Sequence, residues 1–135
     1  MDFIFLLGRA LFVAIFVASA IGHFAAKDQM VGYAKSLGAP NPETMVPVTG
    51  AVLIAGALMV LLGLWADVGA LLLIGFLAGI TPIMHAYWSR PTPQERQQQQ
   101  IHFNKNLSLL GGAIVIFWLY AEAEDLPLSL TNSVF

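Results

Sequence analysis

At 135 residues with no cysteine, the chain has room for one domain, and it excludes disulfides, thiol catalysis and cysteine-held iron–sulfur clusters. Its composition, 58% hydrophobic and 10% charged, is too apolar and too blocky for a soluble domain, where charged residues approach about a quarter. The net charge of -2 excludes little by itself, but six Lys and Arg make no basic face, so nucleic acid is not a partner.

Four apolar runs, at 3–24, 46–66, 68–88 and 101–121, reach or nearly reach the roughly 20 residues that cross a bilayer as a helix. Only Arg9, His23, His85, His102 and Lys105 interrupt them with ionisable groups. The pattern predicts an all-α membrane protein, a single domain over 1–135 built as a four-transmembrane-helix bundle. Its helices are expected at about 3–25, 46–66, 68–88 and 93–121.

Within the first run, Ala18-Ser19-Ala20 has the small-residue pattern of a signal-peptidase site. The run is read as a retained helix, because Asp2 is the only charge ahead of it and Arg9 lies inside it. Arg9 sits about two turns into the helix. Asp67 or Glu122 could pair with it, and outer headgroups would serve without any partner.

Between the first two spans, Met30, Tyr33, Ala34 and Leu37 follow the i, i+3, i+4, i+7 spacing of a helix face. With Asp28 as N-cap and Gly38 and Pro40 as a stop, the stretch predicts a short interfacial helix at about 28–38, with Lys27 and Lys35 toward lipid phosphates. A plain surface turn is the alternative. The second span, after Pro42 and Pro47, is rich in small residues that allow close helix approach, among them Gly50, Gly56 and Gly63. The third carries Gly75-x-x-x-Gly79, a pattern of helix contact, then Pro82, which frees the carbonyl of Ala78 and bends the helix. His85, Tyr87 and Trp88 follow, and such a bend opens either a pocket or only a packing irregularity.

Thr92-Pro93-Gln94-Glu95 has capping-box spacing with Pro at the first helical position, so the fourth helix starts near Pro93, outside the hydrocarbon. Running to 121, it would be about 43 Å long at 1.5 Å per residue. At about 100° per residue, His102, Lys105, Asn106 and Leu109 share a face, continued by Gly112 and Ala113, while Asn104 points away. The tail 122–135 is acidic, then mixed, and suggests no role.

Four crossings put the first and third loops on one side with Lys27, Lys35, Arg90 and Arg96, and the termini on the other with Asp2, Glu122, Glu124 and Asp125. The positive-inside rule then places both termini outside. The same folding brings His23, His85 and His102, from three helices, to one level with Lys105, Asn106 and Trp88. Interfacial side chains reaching for headgroups would account for each singly. Together they suit a quinone, whose carbonyls accept hydrogen bonds and whose protons an imidazole can exchange. Opposed histidines could ligate haem, a less favoured arrangement, and no Asp, Glu or Cys joins them for zinc.

Arg9, the Gly38-Ala39-Pro40 turn, the Gly-rich second span, His85-Ala86-Tyr87-Trp88 and the stretch H-F-x-K-N-L-x-L-L-G-G from His102 to Gly112 together resemble the DoxX family, from Arg9 to about Ala113. The family is similar to the small membrane subunit of thiosulfate:quinone oxidoreductase. The resemblance implies a bacterial inner-membrane protein, a subunit of a quinone-linked redox or redox-stress system with other membrane or respiratory subunits as partners. A non-enzymatic accessory subunit docking through Gly75, Gly79, Gly111 and Gly112 is the alternative. One departure falls at Val52, where members often carry Glu; either the role of that Glu is missing here or Asp67 fills it.

Overall fold

The computed structural model describes residues 1–123 and 126–135; the acidic pair Glu124 and Asp125 lies outside the described residues. Five α-helices account for most of the chain: α1 (Asp2–Ala25), α2 (Lys27–Ser36), α3 (Pro42–Leu62), α4 (Ala66–Met84) and α5 (Pro93–Glu122), with a 3-10 turn at Tyr87–Ser89 before α5. Three of the long helices, α1, α3 and α4 with its 3-10 extension, are long and apolar enough to cross a membrane.

The boundaries shift from those expected by a few residues, each for a local reason. Helix α3 begins at Pro42 rather than at residue 46, because proline suits the first helical turn, and Pro47 is carried inside the helix. It ends at Leu62 because Gly63 turns left-handed (φ 63) and its N–H donates to the Val60 carbonyl, while the Leu64 N–H reaches Met59. Glycine takes that conformation without steric cost, and the two bonds satisfy carbonyls the helix end leaves open. Helix α4 therefore starts at Ala66, so Asp67 lies in its first turn and not in an exposed loop. Helix α4 stops at Met84, four residues earlier than expected. Beyond it, His85 breaks from helical geometry, and Arg90 Nη2 donates to the freed Met84 carbonyl at 2.9 Å.

Helix α2 occupies 27–36 rather than 28–38, and its N-cap is Ala26, with Asp28 in the first turn instead of capping. The stop at Gly38 stands: its φ of 73 lets the Gly38 and Ala39 N–H groups fold back on Lys35 and Ala34. At the start of α5 the capping box is complete. Thr92 Oγ1 accepts from the Glu95 N–H at 3.2 Å, and the Glu95 carboxylate accepts from the Thr92 N–H at 3.2 Å.

The long helices pack in the order α1, α3, α4, α5, each against the next. The core between them holds Val13, Phe16 and Ala20 of α1, Leu53, Ala57 and Val60 of α3, Leu73 and Leu77 of α4, and Ala113 of α5. Close approach is concentrated between α3 and α4, where a side chain on Gly56 would meet the Gly69 carbonyl at 3.0 Å. Gly75 and Gly79, expected to mark a helix contact, mark open space: a Cβ on either would meet nothing within 4 Å. Between α1 and α5, large side chains bridge the ring at one end. Phe12 lies against Gly112, and Tyr120 meets Phe5 and Arg9.

The same end is closed by the tail. The Leu130 N–H bonds the Leu62 and Gly63 carbonyls, Thr131 Oγ1 accepts from the Trp65 N–H at 2.7 Å, and Asp67 Oδ2 accepts from the N–H groups of Val134 (2.6 Å) and Phe135 (3.0 Å). Asp67 is fully buried, so its carboxylate requires such donors. A segment with no legible role thus caps the α3–α4 turn. The expectation that Asp67 or Glu122 serves Arg9 is corrected: among the described residues, the guanidinium pairs with neither. Instead Arg9 Nη1 donates to Tyr120 Oη and Nη2 to the Leu128 carbonyl, both at 2.7 Å, and the cation lies 5.0 Å from the Phe5 ring centroid. Arg9 is buried and not reaching for headgroups.

Candidate functional site

At the opposite end a cavity of about 450 Å³ opens between α1, α3, α4 and α5. Helix α2 lies over it. Met30, Tyr33 and Ala34, three of the four residues of its apolar stripe, line the cavity, with Ala34 buried and Tyr33 still exposed on its other side. Lys35 of α2, expected at lipid phosphates, forms an exposed ion pair with Glu43 at the start of α3 at 3.1 Å, which ties the cover to the bundle.

The walls are mainly apolar: Met45 and Val46 from α3, and Phe76, Ile80 and Ile83 from α4. The space itself comes from Gly75 and Gly79, one turn apart on α4, because they extend no side chain into it. Four of the six residues expected to form a site converge here: His23, His85, Lys105 and Asn106 all line the cavity. His102 is one step removed, its ring stacked on that of His85 at 5.3 Å between centroids and 27° between planes. Trp88 is turned away. It is exposed and packs edge-on against Tyr87 and Phe103, bracing the 3-10 turn against α5.

Three of these polar groups are held from behind. His23, buried, approaches the Ser19 carbonyl through Nδ1 at 2.7 Å, and since a carbonyl only accepts, Nδ1 carries the proton. Its ring meets Phe76 edge-on, and Gly50 makes room for it, because a Cβ there would lie 2.8 Å from that of His23. His85 Nδ1 bonds Gln99 Oε1 at 2.8 Å. Asn106, buried midway along α5, donates from Nδ2 to Thr81 Oγ1 at 3.1 Å. That bond satisfies two polar groups that would each be costly alone. Lys105 is exposed at the rim.

Thr81, Gln99 and the α2 stripe were not foreseen as site residues. Thr81 could have been found as the polar residue of the third apolar run able to answer Asn106. Gln99 is three residues before His102, on the face a helix shares at that spacing. The cover could not be found from α2 itself, since an amphipathic stripe reads the same whether lipid or protein receives it. Of the four glycines expected to dock a partner, Gly75 and Gly79 open onto the cavity, Gly112 faces Phe12, and Gly111 is open but outside the cavity. Among the described residues, no group of three or more His, Asp or Glu is placed to hold a metal.

The sequence model of the DoxX family matches residues 4–86, which covers α1 to α4 and ends just past His85. The inner membrane protein YphA of Escherichia coli (strain K12) is 29% identical over 111 residues, covering 82% of this chain and 79% of that protein. No solved structure matches.

Proposed function

Since this chain belongs to the DoxX family, we propose that it is an inner-membrane protein whose cavity holds the headgroup of a quinone within a redox system that other membrane subunits complete. In this reading α5 is the fourth span, the α2 end faces the cytoplasm with Lys27, Lys35, Arg90 and Arg96, and both termini lie outside. The observation that carries it is the meeting of His23, His85, Lys105 and Asn106 in one largely apolar cavity. A lipid-soluble ring with polar edges fits that mixture: apolar walls take the ring, and a few placed polar groups orient it.

The protein contributes positioning and proton-accepting groups; electrons come from and leave to partners. With no cysteine in the chain, any thiol chemistry belongs to those partners. Haem is a poorer fit for His85 and His102, whose rings meet by their faces, whereas axial ligation directs nitrogen edges at an iron between them.

The test is extraction of quinone from protein purified out of membranes, beside His85→Ala and Lys105→Ala. Quinone accompanying the parent and depleted from both variants is the expected result. Parent protein free of quinone that also fails to take it up from doped vesicles refutes the reading.

A further inference from the structure

The hydrogen bonds behind the cavity wall fix which ring nitrogen of His23 and of His85 is left uncommitted. His23 spends its Nδ1–H on the Ser19 carbonyl. In the neutral imidazole, Nε2 therefore carries a lone pair and no proton. The residue is 6% exposed, lines the cavity, and Nε2 has no partner among the described residues. His85 repeats the pattern, its Nδ1 committed to Gln99 Oε1. Asn106, also 6% exposed, commits one of its two amide N–H groups to Thr81 and keeps both a donor and Oδ1, so it favours neither form of a ligand. Among the described residues the wall therefore offers two ring-nitrogen acceptors, His23 Nε2 and His85 Nε2, while the cation Lys105 stands at the rim.

From this pattern we infer that the cavity selects a ring bearing hydroxyl donors, so that, resting on the quinone reading above, it is a site for the reduced quinol rather than the oxidised quinone. A quinone brings two carbonyl oxygens, which only accept, and beside either histidine Nε2 they would face lone pair against lone pair. A quinol brings two O–H groups that donate to those same atoms, and unmatched buried acceptors are what separates the two. Gly75 and Gly79 provide the flat clearance on α4 over which the ring lies.

The experiment compares a decyl benzoquinol with the same molecule oxidised, titrated anaerobically into the protein in nanodiscs and corrected against empty nanodiscs. The quinol is expected to bind about tenfold tighter, as about 1.4 kcal/mol from donated hydrogen bonds would give. His23→Phe with His85→Phe keeps ring volume and removes both acceptors; the two forms should then bind about equally. Gly79→Leu fills the clearance and should weaken both forms about tenfold or more. Equal binding of both forms by the parent overturns the inference while leaving the quinone site standing, and so does a preference that survives the double His variant. Binding of neither form overturns the inference and the site together.

Discussion

Gly63→Ala tests whether the tail is part of the fold. Gly63 holds a left-handed φ of +63, and a Cβ built on it would lie 2.5 Å from the Cα of Ser129 and 2.6 Å from its Cβ. The conformation alone costs an alanine about 1–2 kcal/mol. The overlap is with backbone, so no rotamer change relieves it, and the tail must leave the turn. Leaving removes the bonds from the Leu130 and Thr131 N–H groups to the turn carbonyls and the bond from Trp65 N–H to Thr131 Oγ1. At about 1 kcal/mol net each, these bring the expected loss to about 4 kcal/mol. With about 2–4 °C per kcal/mol for a chain of this size, the midpoint should fall by roughly 10 °C. Thermal unfolding in detergent measures that, and hydrogen exchange by mass spectrometry should show the amides of Leu130 and Thr131 losing protection while the core of α3 and α4 keeps it. Gly8→Ala is the control, since a Cβ there meets nothing within 4 Å and φ is ordinary. Tail amides protected as in the parent, with a midpoint within about 2 °C, would refute the docking described here.

Tyr120→Phe removes the acceptor at 2.7 Å from Arg9 Nη1 and leaves a buried charge short of one partner; a loss of about 1.5–3 kcal/mol is expected in detergent unfolding. Arg9→Lys should not restore what Arg9→Ala loses, because one ammonium cannot span Tyr120 and the Leu128 carbonyl as the forked guanidinium does; the midpoints of the two variants decide it. Gly56→Leu should abolish the monodisperse elution peak, since even its Cβ meets the Gly69 carbonyl and Leu73 at 3.0 Å, whereas Gly75→Ala should elute and unfold like the parent. Thr92→Ala should cost about 1 kcal/mol and raise exchange only in the first turn of α5.

Much of the candidate site could be foreseen because helices impose their periodicity on any sequence that forms them. Histidines near the ends of three apolar runs must meet if the runs alternate in direction, and the lone polar face on the fourth must turn inward. That reasoning placed His23, His85, Lys105 and Asn106 around one cavity. It failed for Trp88, because α4 ends at Met84 and the 3-10 turn rotates the following residues off the helical face. It failed for Gly75 and Gly79 because small residues open space as readily as they admit a neighbour, and which happens depends on the helix opposite.

By itself the sequence determined the all-helical class, the apolar runs, the stop at Gly38 and the capping box at Thr92, since each follows from hydropathy over a helix length or from backbone chemistry within a few residues. Only the tertiary structure decided what meets what between segments far apart in the chain. Arg9 is answered by Tyr120 and a tail carbonyl, Asp67 by tail amides, and the α2 stripe by a cavity. A buried charge demands a partner, but many groups can meet that demand, and only the packing of the helices determines which one arrives.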